Sequence, residues 1–276
     1  MTVAVIIQAR TGSTRLPGKV LRLLPRTPHA GRGPGGLRQT VLAHVINRAQ
    51  AIPGVDVVVV ATTELPADDR IMYLARAAGC RVIRGPERDV LTRYQMAAHA
   101  VSADVILRLT ADCPLLDPLV AHDVLRAFLD TRHGAWATAY ASNVHPPTWY
   151  DGCDIEVFDR RTLAAACARA GDHEREHVTT WMVRQAAHLE NVRRPDGGDG
   201  SALKLSIDTA EDYRRVCRTF AALPDRRRFG WHDVVMAHAR AYPPAFVVRA
   251  RRIFGRSHRA TALVEAFLVG GLDAAA

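Results

Sequence analysis

Lysine is almost absent from this chain: of its 37 basic residues only Lys19 and Lys204 are lysine. Arginine and lysine are not interchangeable, so a lysine kept among so many arginines marks a position where a reason is expected. Cysteine is sparse as well. Cys80, Cys113, Cys153, Cys167 and Cys217 are odd in number, widely spaced and without a C-x-x-C pair. That pattern excludes a disulfide framework and a structural zinc site, and free buried thiols are expected. No apolar run approaches the roughly 20 residues of a membrane span. Met1–Gln8 has no basic leader region and reads as a strand, so a cytoplasmic location is expected. His173 and His177 are spaced i, i+4 without an obvious third metal ligand, the loop after the first strand is not the dinucleotide loop G-x-G-x-x-G, and the nucleophile elbow G-x-S-x-G is missing. So is the P-loop, because Gly18-Lys19 is followed by Val20.

What remains is an ordinary globular composition, 48% apolar and 24% charged over 276 residues, which excludes a disordered chain. The net charge of +9 fits an anionic substrate, a nucleic acid or no specific partner. The first half alternates strand-like and helix-like segments. Val3–Gln8, Val55–Ala61, Arg81–Ile83 and Asp104–Leu109 are short, apolar and β-branched. Helical spacing falls between them at Thr40–Ala51, Ala67–Ala78 and Arg88–Val101, and again at Pro118–Asp130. This order predicts a mainly parallel sheet with helices on both faces. Further strands are expected at Trp136–Ala141, Cys153–Phe158 and Leu203–Ile207, and helices at Arg160–Ala170, Glu174–Ala187 and Thr209–Ala222. The organisation predicted is a domain over 1–222 and a basic helical extension over 223–276, with helices near His232–Arg240 and Thr261–Val269. Residues 25–38 are rich in Pro, Arg and Gly and read as a loop, either a tolerated insertion or a lid that brings arginines to an anion.

On such a sheet ligands sit at the carboxyl ends of the strands. The loop after the first strand carries Gly12 and Ser13, whose backbone N–H groups can turn towards phosphate oxygens. Arg10, Arg15 and Lys19 add three positive charges, which match a triphosphate better than a monoester. Asp112 lies just past another strand and is open between turn-former and ligand of a hard divalent cation. Asp117-Pro118 reads as an N-cap followed by Pro at the first helical position. Asp208 is open between a second metal ligand and the N-cap of the following helix, although Thr209 could cap equally well. Asp154 and Glu156 alternate on one strand face near Asp151, and Glu176-His177 sits near a helix start.

Taken in order, these segments resemble the cytidylyltransferase family of the spore-coat-polysaccharide type. Its relatives couple CMP to 3-deoxy sugar acids and acylneuraminates. The matching strings are Gln8-Ala9-Arg10-x-Gly12-Ser13-Thr14-Arg15-Leu16-Pro17-Gly18-Lys19, Arg84 through Tyr94, Thr110 through Asp117, Asp151 through Phe158, Glu174 through Thr179 and Asp208 through Asp212. The resemblance implies a GT-A-like nucleotidyltransferase fold. It implies that Gln8, Ala9 and Arg10 meet base and ribose, while Gly12, Ser13, Arg15 and Lys19 meet the triphosphate. Asp112 and Asp208 fall at the family's Mg²⁺ positions. Asp151, Asp154, Glu156, Glu176 and His177 fall in the acceptor region. The expected reaction is attack of an acceptor oxygen on the α-phosphorus of CTP, with Arg10, Arg15 and Lys19 as catalytic charges and Mg²⁺ as cofactor. A small anionic acceptor is expected, a sugar acid before a phosphonate. No membrane partner is expected, and a homodimer stays open. The alternative is a non-catalytic nucleotide or nucleic-acid binder on the same fold, which the arginine-rich extension would favour.

Overall fold

The computed structural model describes residues 1–25, 39–131, 139–224 and 228–242. The expected loop over 25–38 and the helix near Thr261–Val269 lie outside the described residues, apart from Pro25.

The chain alternates as its sequence predicts. β1 (Val3–Gln8), β2 (Val57–Thr63), β3 (Arg81–Gly85) and β4 (Val105–Thr110) are joined through α1 (Val41–Gln50), α2 (Asp69–Ala77) and α3 (Val90–Ala100), and α4 (Pro118–Thr131) follows β4. β5 (Ala139–Ser142) and β6 (Glu156–Asp159) come next, then α5 (Arg160–Arg169), α6 (Asp172–His177) and α7 (Thr180–Gln185). β7 (His188–Asn191), α8 (Ala210–Ala221) and α9 (Trp231–Ala241) complete the described elements. Several helix starts are set by side chains that accept an otherwise unmet backbone N–H: Thr40 for α1, Asp89 for α3, Asp159 for α5 and Thr209 for α8.

The strands form one seven-stranded sheet in the order β3-β2-β1-β4-β6-β5-β7. Only β6 runs against its neighbours, β4 and β5; the other pairings are parallel. β1 lies inside the parallel half and is buried on both faces. Val3, Val5 and Ile7 pack with α1 and α4, while Ala4 and Ile6 pack with α3. A strand buried on both sides needs a continuous apolar run, which is how β1 and β2 read in sequence. The first stretch of the expected extension joins the same core. Phe229, Val234, Val235, Ala237 and Ala239 are buried there, and Arg48 donates to the carbonyls of Leu116 and Phe229 at 2.7 Å each. No helix of the described residues is long and apolar enough to cross a membrane.

Three expectations are corrected. Leu203–Ile207 is not a strand: it makes a single bridge, Asp151 to Lys204. Gly152, at φ 112°, bends the partner segment there, and the Leu205 backbone sits under 3 Å from where a Cβ would be. The strand expected from Cys153 begins only at Glu156, because the buried Asn143 side chain takes the ladder's place. Its amide donates to Cys153 O at 2.7 Å and accepts from Ile155 N at 2.9 Å. The helix expected over Glu174–Ala187 breaks into α6 and α7 at Val178, whose φ of 59° no helix can contain, and the chain then enters β7.

Candidate active site

The loop after β1 is built by hydrogen bonds to two points. Thr11 donates from both N and Oγ1 to Asp68 Oδ1 at 2.7 and 2.6 Å, and Thr63 donates to the other carboxylate oxygen. Asp68 is buried, so this anchor is shielded from water. The Thr11 carbonyl then accepts from Ser13 N at 2.8 Å and Gly18 N at 2.9 Å, which closes the loop on itself. Gly18 holds φ 65°, a conformation that costs other residues, and directs the chain into a short 3₁₀ turn at Lys19–Leu21. Val20 is buried there.

That geometry aims Lys19 across the strand ends. Its Nζ donates to Asp112 Oδ2 at 2.6 Å and to Asp208 Oδ1 at 3.1 Å. Asp112 follows β4. Asp208 precedes α8, where Thr209 forms the cap with Asp212 and leaves Asp208 available. Arg15 reaches the same Asp208 oxygen at 2.9 Å. Lys204 holds the other at 2.8 Å, and also Asp151 at 3.0 Å and Ser206 at 2.8 Å. The two rare lysines thus meet on one carboxylate. Burial alone would push Asp208 up, but hydrogen bonds from Lys204 and Lys19 outweigh it and hold the carboxyl at about 2. Burial would lower Lys19, yet its pairing with Asp112 and then Asp208 keeps it above the usual lysine range. Cys113 lies beside them, but burial pushes its thiol well up, so it is no nucleophile.

These groups face a cleft of about 400 Å³ that Gln8, Ala9, Arg10, Gly12, Ser13, Glu176 and His177 also line. Arg10 and Glu176 meet across it at 3.4 Å. A second cleft of about 450 Å³ adjoins it through Thr110 and His177. Asp154 and Glu156 line this second space. Glu156 is buried, ion-paired to Arg108, and accepts from Tyr140 Oη at 2.5 Å. Arg108 also donates to Gln8 Oε1 at 3.3 Å, so the floors of the two clefts are joined. Asp151 lies outside the second cleft, in a smaller one shared with Asp154. Sequence reasoning did not single out Asp68, Arg108 or Lys204 as site residues. For Lys204 its rarity was a usable signal.

Asp154 carries a testable consequence. Burial, then the negative charges of Asp151 and Glu156, push its carboxyl up to about 7. A raised folded value means that stability is lost as pH rises from the unfolded pKa, about 3.8, to 7. In EDTA, Asp154→Asn should therefore raise the melting temperature more at pH 8 than at pH 5. An equal change at both would show that the group titrates normally.

Among the described residues no cluster of three or more His, Cys, Asp or Glu could hold a metal ion. The candidate donors are the pair Asp112 and Asp208. Both carboxylates bond to the same ammonium, so both aim at one cationic point. Two carboxylates supplemented by phosphate oxygens suit Mg²⁺, which is seldom held by protein alone. The residues fit that ion.

Comparison with known proteins assigns the chain to a family. The family model for cytidylyltransferases matches residues 4–227. The spore coat polysaccharide biosynthesis protein SpsF of Bacillus subtilis is 32% identical over 76% of this chain and 83% of its own. A 3-deoxy-manno-octulosonate cytidylyltransferase of Anaeromyxobacter dehalogenans is 39% identical over 45% of this chain and 46% of its own. The solved structure of a cytidylyltransferase from Leptospira borgpetersenii superposes with a TM-score of 0.74 at 28% identity, covering 93% of this chain and 98% of that one. With the match spanning most of its length, the chain belongs to the cytidylyltransferase family.

Proposed function

We propose that this chain transfers CMP from CTP to a small anionic acceptor, a sugar acid before a phosphonate, and releases pyrophosphate. The observation that carries the reading is the meeting of Lys19, Asp112 and Asp208 at one point beside the glycine-bearing loop, with a second cleft adjoining. The sugar-acid choice draws on the 3-deoxy-manno-octulosonate enzyme, which matches less than half of this chain. A role in polysaccharide biosynthesis draws on the SpsF likeness. The reaction belongs in the cytoplasm, where CTP is made.

The acceptor oxygen, seated in the second cleft, attacks the α-phosphorus in line and pyrophosphate departs. Positioning and charge stabilisation supply most of the rate, as in other phosphoryl-type transfers. Gly12 and Ser13 lie along the triphosphate, and Arg10, Arg15 and Lys19 neutralise it. On nucleotide binding Lys19 passes from the two carboxylates towards the departing phosphates. Asp154, with its carboxyl near neutrality, takes the proton of the acceptor hydroxyl. Asp112 and Asp208 would hold Mg²⁺, which when bound polarises the α-phosphate.

A melting-temperature panel of CTP, UTP, ATP, GTP and dTTP, each with and without Mg²⁺, tests this reading. CTP with Mg²⁺ at 100 times its Kd should stabilise the fold by about 2.7 kcal/mol. Stabilisation by another nucleotide would overturn the base assignment, and stabilisation by none would overturn the reading. Pyrophosphate release on adding sugar acids or phosphonates then identifies the acceptor.

A further inference from the structure

Arg93 occupies an unusual position for an arginine. It lies on the first turn of α3 and is among the largest fully buried side chains of the described residues, at 2% exposure. Its Nε and Nη1 are buried with no hydrogen-bond partner. Buried guanidinium groups are ordinarily paired, because an unmet donor away from water is costly. The carboxylates whose charge reaches it, Asp68 and Glu87, make no ion pair with it within the described residues. Asp68 is bonded instead to Thr11 and Thr63. Burial pulls the guanidinium below the usual arginine range, although it still stays charged at neutral pH. Yet Arg93 is not sealed away, for it lines the first cleft together with Gln8, Arg10 and Val90.

Its place in that cleft follows from the sheet order. The Arg93 stem lies against Gly85, the last residue of β3, where a Cβ would come within 3.0 Å of Arg93 Cγ. β3 and β2 lie on one side of β1, and β4 and β6 on the other. The second cleft opens on the β4–β6 side, through Arg108 and Glu156. Arg15 and Lys19 take the phosphate end at Asp208 and Asp112. The nucleoside is the remaining substituent on the α-phosphorus. The part of the cleft left for it is the β2–β3 flank, where Arg93 is.

We infer that Arg93 reads the nucleobase of the bound nucleotide and makes the site select cytosine over uracil. The inference rests on the cytidylyl reading above. Guanidinium is a donor only, planar, with adjacent N–H groups that engage two neighbouring acceptors at once. The pairing edge of cytosine presents O2 and N3 side by side, both acceptors. Uracil presents O2 beside an N3–H donor, which a donor-only group opposes. Either bidentate edge, Nε with Nη2 or Nη1 with Nη2, takes up one of the two unmet donors, and a site whose buried donor is met by one base and left unmet by the other discriminates strongly. Arg93 falls within the Arg84–Tyr94 string that carries the family resemblance, but nothing in that string marks it as the residue that meets the base.

Two variants test the assignment, Arg93→Met, which keeps a stem against Gly85, and Arg93→Lys, which keeps the charge without the planar fork. Dissociation constants for CTP, UTP and inorganic tripolyphosphate, all with Mg²⁺, are measured on folded protein by calorimetry. The wild type should prefer CTP over UTP. In both variants that preference should fall by roughly 10- to 100-fold, the scale of one bidentate base contact. Tripolyphosphate affinity should hold. A preference for CTP that survives both substitutions overturns the inference. So does a parallel loss of tripolyphosphate affinity, which would make Arg93 a phosphate ligand. If Arg93→Met does not fold, Arg93→Lys alone gives either result. A wild type without preference for CTP overturns the cytidylyl reading itself, a failure visible before any variant is made.

Discussion

Replacing Lys19 with alanine should cut the rate of pyrophosphate release at saturating CTP by ~10²-fold or more, the scale of losing one fixed charge stabiliser. The site gives this residue a position that no other cation among the described residues shares. Its Nζ is the one group bonded to both Asp112 and Asp208. Lys204 and Arg15 reach Asp208 alone of the two. Arg15 is also largely exposed, with 63% of its side chain open, so solvent screens it and its loss should matter less. The positive φ of Gly18 and the burial of Val20 set the point from which the Lys19 side chain starts, at the strand ends. A purely structural lysine would behave differently. Its removal would lower the melting temperature, because two carboxylates would lose their shared cation, yet turnover per folded molecule would stay near normal. That second result would remove Lys19 from the mechanism. Lys19→Arg separates charge from shape. A point charge that changes partners is poorly replaced by a planar fork, so only part of the rate should return.

Much of this arrangement was legible in the sequence, and what was not has a physical reason. β1, β2 and β4 announced themselves because a strand buried on both faces must be apolar throughout. β7, His-Leu-Glu-Asn at the sheet edge, has no such requirement, and the sequence marked no element there. The break at Val178 was hidden for the opposite reason. A β-branched residue at positive φ is what local preference argues against, and only the tertiary fold imposes it. Asp112 could be singled out because strand-end position is visible in a sequence, whereas Asp208 was singled out behind an expected strand that proves to be a single bridge. The capping ambiguity at Asp208 was settled by Thr209, which takes the backbone N–H of Asp212. Asp68 carried no such mark, and Arg93 was marked only as one residue of the Arg84–Tyr94 string. Each sits at an ordinary helical position, and its importance comes from what burial does to a charged group once the chain has folded.

Asp112→Asn should lower magnesium-dependent turnover by about 10³-fold, the scale set by several kcal/mol of charge stabilisation at the reacting phosphate. Asp112 is the cleaner of the two carboxylates to change. Asp208 has Lys19, Lys204 and Arg15 around it, so neutralising it would leave three cations crowded together. Asp112 is paired with Lys19 alone among the described ion pairs, and an asparagine oxygen can still accept from Nζ. The fold should therefore survive and the effect be read on chemistry. A second readout separates metal ligation from general electrostatics. Without metal, removing one negative charge beside the triphosphate should leave CTP affinity equal or raise it, since like charges no longer face each other. With metal, the gain in CTP affinity that Mg²⁺ gives the wild type should shrink in the variant. A variant with the wild-type metal titration would refute Asp112 as a ligand. Weaker CTP binding in EDTA would mean that the Asp112–Lys19 pair shapes the phosphate site directly, with the metal contributing through Asp208.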